Sequence, residues 1–302
     1  MGDEPSGAHL GSPEAAFSVL ASETRLAVLL ELATVTHEHG SGAGLTFSEL
    51  RRRVGVEDSG RFNYHLEQLQ EGFIEKDGEE YVARYPGLAV VSAVYAGTYG
   101  GSGLDEDDQT ARLETNCPCG EPLTITYESG DDLVAFRCET HGLMTSFPVP
   151  PGAASDRSLE ALGSVAIDRM LANMYLATRG VCPRCWGVID VAYPVGPTTD
   201  ELVGVEATAA RVSCRRCWLR YELPLGSLVA AQPVVRAFYR EHGLAPEEIL
   251  FGNNATGREE VCTIVLDETD APERAAVTIE LDDDVLELAL DDAAALLDHS
   301  RP

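Results

Sequence analysis

LTFSELRRRVGVEDSGRFNYHLEQL, residues 45–69, is the stretch whose reading decides the fold of the first third of the chain. Thr46-Phe47-Ser48-Glu49 has the form of a capping box, in which hydroxyl and carboxylate each satisfy an orphan backbone donor. Leu45 and Leu50 stand where a hydrophobic staple stands. These signals predict a helix of roughly two turns ending near Val54. Gly55-Val56-Glu57-Asp58 reads as a short turn, and a second helix is expected from near Ser59 to about Glu71. Its apolar residues Phe62, Leu66, Leu69 and Phe73 form one stripe to be buried. The outward face carries Gly60, Arg61, Asn63, Tyr64 and Gln68, with His65 beside it. Those donors, acceptors and one cation are side chains able to reach base edges in a major groove.

Two flanking pieces complete the unit. Upstream, Phe17 and Leu20 lie on a first helix, and Leu26, Leu29, Leu30 and Ala33 make a stripe on the next, with Ser22 placed to cap it. Downstream, Ile74 to Lys76 and Glu80 to Ala83 flank Asp77-Gly78, a strong hairpin signal. Helix-turn-helix plus hairpin is a winged helix. The segments Ala21-Ser22-Glu23-Thr24-Arg25-Leu26, Phe47-Ser48-Glu49-Leu50 and Asn63-Tyr64-His65-Leu66-Glu67-Gln68-Leu69, in that order, resemble the ArsR-like winged-helix transcriptional regulators.

The resemblance implies a recognition helix that turns Ser59, Arg61, Asn63, Tyr64 and Gln68 to DNA. It also implies a homodimer formed through the first helix and a helix after the wing. Here that later helix would be Leu88 to Thr98, with Val90, Val91, Val94 and Tyr95 apolar. The metal-sensing cysteine pair of that family is absent: the helix before recognition reads Glu49-Leu50-Arg51-Arg52-Arg53, and no cysteine precedes Cys117. Arg51, Arg52, Arg53 and Arg61 cluster in the two helices expected nearest DNA; the other reading of that run is a solvated helix face. On the wing, Lys76 is a phosphate partner, while Glu79 and Glu80 are poor ones. A winged helix used only for protein contacts is the alternative.

Composition adds a constraint. The 302 residues suffice for two or three domains, with 50 acidic and 22 basic side chains and a net charge of −28. Lys76 is the only lysine; the other 21 basic residues are arginine. DNA binders are usually basic. So acidic a surface with Arg in place of Lys fits a cytoplasm of very high salt, where screening acts within a few ångströms. The chain reads as that of an extreme halophile, or else as an ordinary acidic protein with partners of its own. Binding by counterion release collapses as salt rises, so such a DNA binder would lean on base contacts, apolar contacts and shape. Residues 1–100 fit that reduced charge term, with 7 basic and 15 acidic side chains, a net of −8. No run is long and apolar enough to span a bilayer and no signal peptide is visible, so a cytoplasmic protein without membrane partners is expected. Residues 1–12 are rich in Gly, Ser and acid and are expected to fray.

Eight cysteines in such a protein argue for metal rather than disulfides. Cys182-Pro183-Arg184-Cys185 and Cys214-Arg215-Arg216-Cys217 are two C-x-x-C pairs. Four thiolates on two such knuckles close a tetrahedral structural zinc site, with redox dithiols as the alternative. The strand-like segments Val188 to Tyr193 and Val203 to Val212 between them complete a zinc-ribbon pattern. Trp186 and Trp218 each follow the second cysteine of a pair, which suggests pseudo-symmetric packing against the site. A second set, Cys117, Cys119, Cys138 and His141, reads as a Cys3His site around strands Leu123 to Tyr127 and Leu133 to Phe136. Its C-x-C spacing marks either a shortened knuckle or a decayed site. Cys262 is expected to be a buried core thiol. Four protein ligands leave no open position for hydrolytic chemistry, and the metals should supply folding energy to small segments.

The predicted fold is α+β: a winged helix-turn-helix (1–99), a linker (100–109), a ribbon-like segment (110–152), a connecting helix (153–180), a zinc ribbon (181–225), and a terminal helix and β-meander (226–302). The connecting helix, Asp156 to Thr178, is a core helix or a dimer contact. A short helix spans Pro233 to His242, and strands are expected at Cys262 to Leu266, Ala276 to Leu281 and Val285 to Leu290. The Asp282-Asp283-Asp284 turn is read as a solvated loop in preference to a cation site. An ArsR-like head with ribbon-type cysteine pairs resembles haloarchaeal regulators, a likeness that gives no effector. The expected function is a dimeric, sequence-specific regulator that binds double-stranded DNA, with zinc in its C-terminal region and a small molecule or protein as effector. The alternative is a protein-interaction module of the transcription machinery. No paired catalytic carboxylates, phosphate loop or Ser/His/Asp arrangement is found, so no enzyme is expected.

Overall fold

The computed structural model describes residues 12–100, 109–117, 119–128, 130–155, 157–193, 197–200, 205–244, 262–266 and 274–302; at 197–200, 205–207, 262, 263 and 274 it describes backbone alone. All of the expected frayed terminus but Ser12, which caps the first helix, nearly all of the linker and the Cys262 side chain lie outside the described residues. The chain divides into two compact units, Met1–Gly101 and Ser102–Pro302.

The first unit runs α1 (Pro13–Leu20), α2 (Glu23–His39), β1 (Gly44–Thr46), α3 (Phe47–Val54), α4 (Ser59–Gln70), β2 (Ile74–Asp77), β3 (Glu80–Ala83) and α5 (Tyr85–Tyr95). Its helices begin where side chains can serve orphan N–H groups. Ser22 caps α2, and Thr46 and Glu49 form the full capping box of α3. The Asp58 carboxylate accepts from the N–H groups of Gly60 (2.8 Å) and Arg61 (3.0 Å) and so caps α4. The strands form an antiparallel sheet in the order β1-β3-β2. Leu29, Leu32, Leu50, Phe62, Leu66, Leu69 and Ile74 are wholly buried between helices and sheet. Arg25 is buried too; its guanidinium donates to the carbonyls of Ser18 and Val19, tying α2 to the end of α1.

Several expectations shift. The buried stripe of α2 is Val28, Leu29, Leu32 and Val35, while Leu26, Leu30 and Ala33 sit half-buried at its margin. Asp77 pairs with Glu80, so the hairpin loop is Gly78-Glu79 and not Asp77-Gly78. Only the first loop residue has positive φ (Gly78, 60°), the pattern of a type II′ turn. The last helix starts at Tyr85, three residues before the expected Leu88, because Pro86 fits the first turn, where no N–H is needed.

In the second unit, four sequential strands, β4 (Gln109–Asn116), β5 (Pro122–Glu128), β6 (Leu133–Cys138) and β7 (Gly142–Pro148), form an antiparallel meander. A short helix α6 (Pro151–Ser155) precedes α7 (Leu159–Thr178), which is capped by Ser158. Next come β8 (Ile189–Ala192), β9 (Pro197–Asp200), β10 (Val205–Cys214) and β11 (Arg220–Pro224); β10 pairs with all three others. Helices α8 (Leu225–Ala230) and α9 (Pro233–Glu241) follow, then a four-stranded meander of β12 (Cys262–Leu266), β13 (Arg274–Leu281), β14 (Asp284–Asp291) and β15 (Leu296–Ser300).

Helix α7 is a core element. Its Leu162, Ile167 and Leu171 are buried, and it contacts β4, β5, β8 and α8. The pieces from residue 110 onward share one continuous apolar core, from Leu123 and Phe136 through Leu171 and Val212 to Leu286. Buried Gln232 bridges distant pieces of that core, donating to Thr178 Oγ1 (3.2 Å) and the Ala294 carbonyl (3.4 Å). Asp282, Asp283 and Asp284 are all exposed, as a solvated turn requires, and Asp284 lies 3.7 Å from Arg301 and 3.3 Å from His242. No helix among the described residues is long and apolar enough to cross a membrane.

Candidate metal centres and nucleic-acid interface

Each cysteine pair is carried on a tight loop closed by backbone hydrogen bonds. In the first C-x-x-C loop the Cys182 N–H donates to the Gly187 carbonyl (2.8 Å). In the second, the Cys214 N–H donates to Leu219, again five residues on (2.9 Å). The two loops meet because β8 and β10 are paired up to Ile189 and Cys214. The four sulfurs gather as a result, with Cys182 to Cys217 at 3.7 Å and Cys185 to Cys214 at 3.5 Å. All four lie within 4.8 Å of one another.

The C-x-C loop is the same device, one residue shorter. The Cys117 N–H donates to Glu121, four residues on (2.7 Å), and Gly120 takes a φ of 90° that a side chain would strain. Cys138 and His141 come from the β6–β7 hairpin, where Cys138 pairs with Gly142. Cys117 Sγ lies 3.2 Å from His141 Nδ1, and Cys119 Sγ lies 3.5 Å from Cys138 Sγ. The spacing that looked like a possible sign of decay therefore still converges four donors within 4.8 Å.

The chemistry of both sets fits a metal ion. Sulfurs held at about 2.3 Å from one tetrahedral ion lie about 3.8 Å apart, close to the spacings found here. The thiols differ in readiness to ionise. N–H groups of Cys217 and Arg216 point at Cys214 Sγ and hold its pKa down to about 6. Burial pushes Cys117 up to about 12. A bound cation favours the thiolate in either case.

A family model described as Domain of unknown function (DUF7351) matches residues 114–296, which include both donor sets. The chain belongs to the DUF7351 family. A second model, Domain of unknown function (DUF7347), matches residues 13–94, from the start of α1 nearly to the end of α5. No curated protein and no solved structure matches the chain.

The tryptophans of this DUF7351 protein do not pack on the metal site as expected. Trp186 is 85% exposed and Trp218 72%. Both face solvent, and their surroundings differ. Trp186 has a φ of 60°, and the Arg184 guanidinium lies 4.7 Å from the centre of the Trp218 ring.

In the first unit, Ser59, Arg61, Asn63 and Tyr64 lie exposed on α4, and Arg52 is exposed on α3. Arg51 is half-buried over the Phe47 ring (6.0 Å) and Lys76 lies over Tyr81 (5.7 Å). Asn63 and Gln68 donate to carboxylates of their own helix: Asn63 to Glu67 (2.7 Å) and Gln68 to Glu71 (3.2 Å). Exposed Glu67 thus belongs to this face, although the sequence reading passed over it.

His65 needs correcting. It is 8% exposed, and neither ring nitrogen has a hydrogen-bond partner. Positions 62, 65, 66 and 69 share one helical face, so the period that buries Phe62, Leu66 and Leu69 buries His65 with them. Burial, then the nearby Arg25 and Arg61 charges, holds its pKa below the usual histidine value. It is therefore a core side chain beside the Tyr64 ring, 5.6 Å between centroids, and no base contact is assigned to it.

Proposed function

We propose that the first unit is a winged helix-turn-helix of the ArsR-like type and that the protein is a dimeric, sequence-specific DNA-binding transcriptional regulator. One observation carries this reading: α4, capped and packed on its apolar stripe, leaves Arg61, Asn63, Tyr64 and Glu67 together in solvent. Arg suits guanine, Asn suits adenine, and Glu accepts from the cytosine amino group, so the face can discriminate bases. Dimerisation is supported by large rings left uncovered on α1 and α5, with Phe17 62% and Tyr85 83% exposed. Zinc is the proposed metal at both centres, because four closed donors rich in thiolate suit it. Its role is to hold the second unit, which acts as the regulatory or partner-binding part.

The test is selection of genomic DNA fragments by the metal-loaded protein in roughly molar potassium chloride, where weak phosphate contacts are suppressed. The expected outcome is a palindromic motif whose half-site spacing reports the dimer. A second reading, a protein-interaction module of the transcription machinery, draws support from the hairpin, where Glu75, Asp77, Glu79 and Glu80 are exposed beside the lone Lys76. Enrichment of no motif by a folded protein, with polymerase subunits co-purifying, would favour that reading.

A further inference from the structure

The end of the second unit that carries the four-cysteine centre is unlike the rest of the molecule. Loops 181–188 and 214–221 contain Arg184, Arg215, Arg216 and Arg220 and no acidic residue, in a chain with 50 acidic side chains to 22 basic. Arg215 is neutralised by Asp190, with contacts of 2.7 and 2.5 Å. Arg220 lies 3.9 Å from Glu222. Arg184 and Arg216 are exposed and have no ion pair among the described residues.

These two arginines occupy equivalent places in a repeated pattern, Cys-x-Arg-Cys-Trp, at 182–186 and 214–218. Each reaches the other loop. Arg184 stacks on Trp218, while Arg216 packs beside Gly187, where an added Cβ would come within 3.3 Å of Arg216 Cβ. The Arg215 N–H donates to the Val188 carbonyl (3.0 Å) and locks the loops together. The Arg184–Trp218 stack is thus joined to the Arg216–Gly187 contact, and exposed Trp186 is the residue next to Gly187. Both tryptophans of the chain are on the surface of these two loops.

We propose that this surface binds an unpaired nucleic-acid strand, with bases stacked on Trp186 and Trp218 and phosphates held by Arg184 and Arg216. Three physical points select this occupant. Large indoles left in water are a costly choice unless something covers them. An acidic peptide would answer the arginines but not the indoles, and an apolar partner would do the reverse; a single strand supplies phosphates and flat base faces together. A duplex hides its base faces in the stack. A second copy is disfavoured, since like-charged loops would meet with no acid in either loop to pair them. The net charge of −28 opposes any polyanion at long range, so binding here rests on short-range stacking, which salt weakens less than phosphate contacts. This site is separate from α4 and stands or falls without it.

Because the only tryptophans lie on the surface, their emission reports its occupancy directly. The metal-loaded full chain is titrated with oligo(dT) of about 15 nucleotides, within the usual reach of such surfaces, and in parallel with a blunt duplex and with polyglutamate. Saturable quenching by oligo(dT) alone is expected. By anisotropy of a labelled strand, Trp186→Ala and Trp218→Ala should each weaken binding about ten-fold. Trp→Phe at either position should restore most of it, and zinc content should stay unchanged. Arg61→Ala should leave strand binding intact, while the tryptophan variants should leave duplex selection intact. No quenching, equal quenching by polyglutamate (an acidic protein partner), or equal affinity for duplex (charge without stacking) would each overturn the proposal.

Discussion

In the first unit, chain ends of helices are closed by side chains two or three residues away: Ser22 serves Arg25, Thr46 serves Glu49, and Asp58 serves Gly60 and Arg61. In the second, the loops that end hairpins are closed by donors far apart in sequence, such as Cys117 with His141 and Cys182 with Cys217. One unit is assembled from local agreement between propensity, cap and apolar stripe; the other depends on groups that only the folded chain brings together. Stability should follow this division, and so should sensitivity to conditions.

The largest expected effect is removal of metal. A strong chelator, or Cys185→Ser, should unfold the second unit and leave the helices of residues 13–95 protected in hydrogen exchange. If both units lost protection together, the division would fail. Next comes the core of the first unit. Phe62→Ala empties a fully buried position and should cost about 3–5 kcal/mol in denaturant melts of that unit, with no change in metal content. A smaller effect is expected on α4's surface. Arg61→Ala should weaken specific duplex binding by about 1–3 kcal/mol, measured by titration at fixed salt, without shifting either melting transition.

The smallest effect is a dependence on pH confined to the first unit. The folded-state pKa of His65 is depressed, so the unfolded chain takes up the proton first. Stability from this source is whole above the ordinary histidine range and is lost as pH falls through it. His65→Leu should flatten that slope near neutrality and not lower stability at pH 7, because both ring nitrogens lack partners. Asp58 and Glu49, whose carboxyls are held low by the hydrogen bonds of their caps, should add a second loss only below the ordinary carboxylate range. Melts of the isolated transition across pH 3–8 would separate the two.

The sequence was most legible where one local signal sufficed. Thr46 with Glu49, the Phe62-Leu66-Leu69 stripe and the Cys-x-x-Cys pairs each found their partners as expected. It was least legible where partners are remote. Strand β1 is three residues long and exists through pairing with β3. Strands β4, β7 and β15 carry too little apolar alternation to stand out, and neighbours already in the meander recruit them. His65 is a different failure: its helical position announced burial, but its polar character was given more weight. The tryptophans were assigned to pack against the site because each follows the second cysteine of a pair. Trp186 instead follows a chain that turns left-handed on leaving its knuckle.

Lys76 stands exposed on β2, its ammonium 5.7 Å from the Tyr81 ring. As the only lysine among 302 residues, it gives the molecule a single side-chain amine. Amine-directed dyes, crosslinkers and acylating agents therefore have one internal address, at the hairpin beside α4. A lysine-specific protease would cut the chain once, at the Lys76–Asp77 bond near the end of β2, and protection of this bond would report whatever comes to rest there.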